Sequence, residues 1–152
     1  MKEQFMSENH KWETPIKLFN DLDNIFNFTL DCCAEHETAK VKNYFTVDDD
    51  ALTKDWIGSV WCNPPYGREQ IKFVEKAIIE HKKHNSTIVL LIPARTETKL
   101  WQDLIFPNAK NICFIRGRLR FSESKDNAPF PSALVVISNN RFDLPQFGWC
   151  LP

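Results

Sequence analysis

Ile57-Gly58-Ser59-Val60-Trp61-Cys62-Asn63-Pro64-Pro65-Tyr66-Gly67-Arg68 decides how this chain folds. The apolar opening reads as a buried strand centred on Val60 to Cys62, and Arg68 opens a helical pattern. Between them two consecutive prolines fix φ and remove two backbone donors. Their carbonyls are rigidly aimed, with no ladder to join. The Asn63 side chain adds another carbonyl acceptor, and Tyr66 adds a flat apolar face. Fixed acceptors beside an aromatic plate, at the carboxyl end of a strand, suit a planar ring that bears an amino group.

Working outward, residues 68–84 repeat apolar positions at helical spacing, with Ile71, Phe73, Val74, Ala77 and Ile78 expected inward. Residues 87–92 are an unbroken aliphatic run and the best central strand. Residues 96–106 read as another helix, and 111–115 and 133–138 as further strands. Upstream, Thr14-Pro15 is a helix start, with a hydroxyl at the cap and proline at the first helical position. Leu18, Phe19, Leu22, Ile25 and Phe26 follow on one face. Residues 28–33 read as a buried strand, 35–42 as a polar turn, 43–46 as a short strand, and 48–50 as a loop before one amphipathic turn to Trp56. Strands alternating with helices predict an α/β domain with a mostly parallel sheet. Residues 1–11 are expected to form a flexible segment and 12–152 a single domain.

The chain has 152 residues, enough for a real core, and a net charge of −1. That charge excludes a strongly cationic coat. Its distribution is uneven: residues 1–60 hold six Lys/Arg against twelve Asp/Glu, and residues 61–152 hold thirteen against eight. One acidic and one basic face would follow if the halves map onto faces. The five cysteines are odd in number and form no Cys-x-x-Cys pair, so reduced thiols are expected rather than a disulfide framework or a zinc site. His81 and His84 read as a solvated polar helix end beside Lys82 and Lys83, and no metal is expected. Neither a secretory leader nor a membrane span is recognisable, and a monomer is favoured.

Seven segments occur in order: Trp12-Glu13-Thr14-Pro15, Phe28-Thr29-Leu30-Asp31, Asp49-Asp50-Ala51-Leu52, Trp61 through Gly67, Leu91-Ile92-Pro93-Ala94-Arg95-Thr96, Arg116-Gly117-Arg118-Leu119-Arg120-Phe121 and Pro129-Phe130-Pro131-Ser132. The set resembles the phage-type Dam family of DNA adenine-N6 methyltransferases. The resemblance implies a reduced Rossmann-like methyltransferase sheet, mostly parallel with a carboxyl-terminal antiparallel strand. Ligands would sit at the carboxyl ends of the strands. It implies methyl transfer from S-adenosylmethionine to N6 of an adenine flipped out of double-stranded DNA, in the cytoplasm, that of the host cell for a phage-encoded enzyme.

On that resemblance, Asn63 offers its side-chain carbonyl and Pro64 its backbone carbonyl to the target amino group. Pro65 completes the rigid turn, and Tyr66 stacks on the base. Cofactor contacts fall to Trp12, Thr14, Pro15, Asp31, Cys33, Asp50, Ala51 and Asn63. Thr14 would cap its helix and meet the methionine carboxylate at a positively polarised helix end. Asp31 would meet the methionine ammonium, and Asp50 the adenine amino group of the cofactor. Asp48 and Asp49 compete for that last role; the spacing to Leu52 favours Asp50. The family's Gly-rich turn is replaced here by Asp31-Cys32-Cys33-Ala34-Glu35, which has no Gly. DNA contacts fall to Arg68, Arg95, Arg116, Arg118 and Arg120, the last three sharing one face if they lie on a strand. Phe130 would form the second wall of the base pocket.

Plainer roles compete for the same residues: cap only for Thr14, a strand-end carboxylate for Asp31, a solvated strand for the arginines, core rings for Tyr66 and Phe130. Competing functions are methylation of DNA at cytosine N4, protein glutamine methylation, and a DNA-binding module without turnover. Asn63 as first motif residue favours adenine on family analogy. The basic stripe argues against a protein substrate.

Overall fold

The computed structural model describes residues 13–121 and 126–152. Helix α1 (Ile16–Phe26) precedes β1 (Leu30–Asp31), then β2 (Ser59–Cys62), α2 (Arg68–His84) and β3 (Thr87–Pro93). A π-helical stretch, Leu100–Ile105, runs into the helical turn Phe106–Asn108, followed by β4 (Asn111–Ile115), β5 (Ser132–Ile137) and β6 (Gly148–Cys150). One six-stranded sheet has the order β1-β2-β3-β5-β4-β6.

The sheet is mixed rather than mostly parallel. β1–β2 and β2–β3 pair parallel, while β3–β5, β4–β5 and β4–β6 pair antiparallel. Parallel neighbours need a crossover, which α2 supplies between β2 and β3. The segments joining β4 to β5 and β5 to β6 contain no helix among the described residues. Without a crossover the chain returns in the opposite direction. The expectation of a single antiparallel carboxyl-terminal strand undercounted this, because the absence of helical periodicity after residue 115 was the signal for it.

Each face of the sheet carries a core. On one, Phe73, Val74, Ala77 and Ile78 of α2 meet Val60, Cys62, Ile88, Leu90, Ile92, Val135 and Trp101. On the other, Phe19, Leu22 and Phe26 of α1 meet Phe28, Trp61, Val89, Leu91, Phe121, Phe130 and Leu134. Strand alternation sorts β3 cleanly between the two. Ile71, expected inward, is 39% exposed, and Gln70 is buried in its place.

Three further expectations shift. The first strand contracts from 28–33 to Leu30–Asp31. The segment 43–46 survives as one parallel bridge, Asp31 to Tyr44, carried by Asp31 N–H to Asn43 O (3.0 Å) and Phe45 N–H to Asp31 O (2.9 Å). The helix expected at 96–106 begins later, because local bonds compete for its first turn: Thr98 Oγ1 donates to Arg95 O (2.7 Å) and Gln102 Nε2 to Thr96 O (2.7 Å).

Candidate active site

The carboxyl ends of β1, β2 and β3 form one rim. Asn63 sits directly after β2, and Thr14 lies two residues before α1. The expected cap does not form, since α1 starts after Pro15 with no side-chain bond at its end. The buried Thr14 hydroxyl instead accepts from Asn63 Nδ2 at 3.0 Å. On the other side of the amide, the Tyr66 hydroxyl donates to Asn63 Oδ1 at 3.2 Å. Burial pushes the Tyr66 phenol up, with the Cys33 and Cys62 thiols acting in the same direction, so the hydroxyl stays a neutral donor.

The Tyr66 ring meets the buried Phe130 edge-on, at 5.3 Å between centroids and 89° between planes. The Arg95 guanidinium lies 5.8 Å from the Phe130 centroid. Thr14, Asn63, Tyr66, Phe130 and Arg95 thus form one contiguous row. Pro64 is buried and Pro65 half-buried beneath it. Phe130 reaches this row because β5 runs against β3: the start of β5 lies beside the end of β3, Ser132 opposite Pro93.

Asp31 closes β1 and is buried. It accepts long bonds from Cys33 N–H (3.3 Å) and Lys40 N–H (3.4 Å). Burial outweighs these bonds and raises its carboxyl to about 6 from 3.8. Between those values the native state holds a proton that the unfolded chain releases. The resulting stabilisation is full below about pH 4 and lost as pH rises through about 6. Wild type is expected to lose on the order of 3 kcal/mol from this group between pH 4 and 7. Denaturant titrations across that range, against Asp31→Asn, read it as a difference in slope; parallel profiles would refute it.

Sequence reasoning missed Lys40. Its ammonium pairs with Glu13 at 2.6 Å while its N–H serves Asp31, so it ties the Thr14 segment to the end of β1. The spacing of two lysines, Lys40 and Lys42, in a polar turn gave no sign of this. Two buried polar atoms at the rim, Gln70 Nε2 in the first turn of α2 and Ser132 Oγ at the start of β5, find no partner among the described residues. Ser132 closes the Pro129-Phe130-Pro131-Ser132 segment, which was its only signal.

In the acidic loop one aspartate is set apart from the other two. Asp49 accepts from Thr46 N–H (2.8 Å) and Thr46 Oγ1 (3.1 Å), which holds its carboxyl below the ordinary range. Asp50 is exposed, at φ 52; its backbone carbonyl accepts from Thr53 Oγ1 (2.8 Å), and its carboxylate accepts no bond among the described residues. Ala51 is buried behind it. No bond joins this loop to the Asn63 row among the described residues. Trp12 and the segment 1–11 lie outside them.

The arginine stripe does not form a strand face. β4 ends at Ile115, and Gly117 turns the chain at φ 70. Arg116, Arg118 and Arg120 are exposed on an irregular segment, and Arg68 and Arg95 are exposed at the rim. Three arginines at alternate positions suggested a strand, but glycine at positive φ between them ended it. At the other end of the sheet, His84 acquires the carboxylates that the sequence did not place near it: Asp55 Oδ1 at 3.4 Å and Glu80 Oε2 at 3.8 Å. Lys83 and Lys76 pair with the same two acids.

The DNA N-6-adenine-methyltransferase (Dam) family matches residues 3–142. The chain belongs to that family. Among curated Dam-type relatives, the DNA N-6-adenine-methyltransferase of Haemophilus phage HP1 is 37% identical over 140 residues, covering 86% of this chain and 80% of its own. The DNA N-6-adenine-methyltransferase of Escherichia phage T1 is 35% identical over 112 residues, which cover 71% of this chain and 45% of that protein. A putative methyltransferase, YfdM of Escherichia coli, is 34% identical over 64 residues. The Dam match takes in every element from α1 to β5, and with them the whole Thr14–Arg95 row. No helix of the described residues is long and apolar enough to cross a membrane.

Proposed function

We propose that this Dam-family chain transfers a methyl group from S-adenosylmethionine to N6 of an adenine turned out of double-stranded DNA. The Asn63 amide carries the reading: it is held from both sides, with its oxygen on the Tyr66 hydroxyl, whose ring in turn meets Phe130. A nucleobase amino group is a poor nucleophile because its lone pair is shared with the ring. Accepting both N–H bonds, with Asn63 Oδ1 and the Pro64 carbonyl, localises that pair. Rigid placement of the acceptors supplies the rate. Tyr66 and Phe130 offer aromatic surface for the extruded base.

The sheet, on this reading, is a reduced methyltransferase Rossmann-like sheet with the cofactor over the ends of β1 and β2. S-adenosylmethionine supplies a methyl group already activated by its sulfonium charge. The residues fit such a group: Asp31 is a buried carboxyl whose ionised form gains from a neighbouring cation. Cys33 and Ala34 are small enough for close approach without glycine. Asp48 and Asp50 are the loop carboxylates left uncommitted once Asp49 is engaged, and the spacing to Leu52 favours Asp50. Incubating the protein with unmethylated DNA and methyl-labelled cofactor, then digesting to nucleosides, tests the proposal. Label in N6-methyldeoxyadenosine is expected. Label in N4-methyldeoxycytidine, or none, would overturn it.

For DNA, the exposed arginines around the rim are the proposed phosphate partners. Replacing any one of Arg116, Arg118 or Arg120 with Ala should weaken duplex binding. Removing one guanidinium–phosphate pair should flatten the log–log salt dependence by roughly 0.9. Fluorescence titrations at several salt concentrations check this. Wild-type affinity and slope in all three variants would remove the stripe from the interface and leave Arg68 and Arg95 to be tested.

A further inference from the structure

We propose that Asp55, Glu80 and His84, at the end of the sheet remote from the Asn63 row, form a binding site for one divalent cation of the zinc class. The sequence alone gives no reason to expect a metal, yet the fold sets two carboxylates against His84. His84 Nε2 lies 3.4 Å from Asp55 Oδ1 and 3.8 Å from Glu80 Oε2, and the three ligand atoms all lie within 4.8 Å of one another. A tetrahedral zinc with nitrogen and oxygen ligands at about 2.0–2.2 Å holds them about 3.3–3.5 Å apart. Closing the remaining gap asks for a small movement of Asp55, whose side chain is 57% exposed.

Glu80 sets this group apart from a surface ion pair. Its side chain is 1% exposed, and Oε1 is pinned by the Trp56 N–H at 2.7 Å and the Lys76 ammonium at 3.2 Å. Oε2 accepts no hydrogen bond among the described residues and faces His84. A buried carboxylate oxygen without a hydrogen bond is costly until a cation meets it. Partners outside the ligand set orient the ligand itself, which is the part Trp56 plays here. Glu80 and His84 are four residues apart on one face of α2. Asp55 arrives through the residue next to Trp56.

The imidazole selects the ion. Calcium and magnesium take oxygen ligands, whereas one nitrogen beside two carboxylates suits zinc and its neighbours. Solvent completes the tetrahedron. His81 stays outside, with Nδ1 2.7 Å from Ser86 O. Two lysines compete with the ion. Lys76 meets Oε1 and leaves Oε2 open. Lys83 meets Asp55 Oδ1 at 3.4 Å, but its side chain is 60% exposed and can swing into solvent. The bound ion would tie the segment before β2 to the last turn of α2. It would act on stability, independently of the chemistry at the rim.

Zinc chloride titrated calorimetrically into the whole chain, kept reduced by a phosphine, tests this. One equivalent should bind and be removed by a chelator. His84→Gln and Asp55→Asn should each weaken binding by at least about tenfold. Lys83→Ala removes a competing cation and should tighten it by about threefold; a plain ion-pair network predicts no such gain. Saturating zinc should raise the melting midpoint of wild type by at least about 3 °C, and that of His84→Gln by less than about 1 °C. In NMR spectra the His84 ring should shift alone among the four histidines. Cobalt(II) in place of zinc should give visible bands without the near-ultraviolet band of thiolate ligation, which separates this site from the five cysteines. No binding at up to about 0.1 mM zinc, binding that survives both ligand substitutions, a thiolate band, or weaker binding in Lys83→Ala would overturn the proposal.

Discussion

Asn63→Ala is expected to lower the rate of methyl transfer by about 10²–10³, or roughly 3–4 kcal/mol of transition-state stabilisation, with cofactor affinity nearly intact. The loss is large because three things disappear together: the acceptor for the target amino group, the partner of the Tyr66 hydroxyl, and the donor to Thr14. Loss of that donor leaves the buried Thr14 oxygen without Nδ2, which adds a modest stability cost. Asn63→Ala should therefore melt slightly below wild type while losing nearly all turnover. Single-turnover kinetics separate the two effects. A variant that keeps more than a tenth of wild-type rate would contradict the assignment of Asn63 to the target amino group.

Trp56→Ala is expected to be the most destabilising single change at the base of the fold, by about 3–5 kcal/mol. Trp56 is fully buried, and its ring packs 6.1 Å from Phe73 of α2. Its polar atoms are also engaged. The indole N–H donates to Ala51 O (2.9 Å), the backbone N–H to Glu80 Oε1 (2.7 Å), and its carbonyl accepts from Ser86 Oγ (2.6 Å). Truncation opens a cavity and strips the Ala51 carbonyl of one of its two donors, leaving the Lys54 N–H at 3.1 Å. Ala51 follows Asp50, so the variant should also weaken cofactor binding by loosening that loop. Urea denaturation, with m unchanged if the transition stays two-state, and calorimetry read the two effects. A loss under about 1 kcal/mol would mean that the loop and α2 are held by other interactions.

Much of this was legible in the chain. The limits of α2 coincide with the residues expected, because a long amphipathic run opened by Gly67 and closed by Asn85 leaves little choice. The central strand was plain from its unbroken aliphatic run, extended by one residue to Pro93. Asn63 and Tyr66 announced themselves by type, and Phe130 proved to touch Tyr66. Other features depend on neighbours distant in sequence. Local rules assign Thr14 to a helix cap, and only the fold reveals that Asn63 competes for its hydroxyl and wins. The direction of β5 and the breakdown of the arginine stripe are likewise set by connection geometry, to which residue-by-residue periodicity is blind. The pairing of His84 with Asp55 joins a loop before β2 to the last turn of α2, and no spacing rule links those positions.

The reversed course of β5 separates two tasks that many enzymes entangle. Because β5 starts at the rim and runs away from it, the chain between Ile115 and Ser132 is anchored in the sheet at both ends and delivers Phe130 to the side of Tyr66. It brings Arg116, Arg118, Arg120 and Phe130, yet Thr14, Asp31 and Asn63 all reach the rim from elsewhere. A library confined to the exposed residues of that span, with the buried Phe121, Ala128 and Phe130 kept, could be varied while Thr14, Asp31 and Asn63 stay in place. If the arginines of that span meet DNA as proposed, its exposed side chains are the first place to vary when seeking a new DNA word.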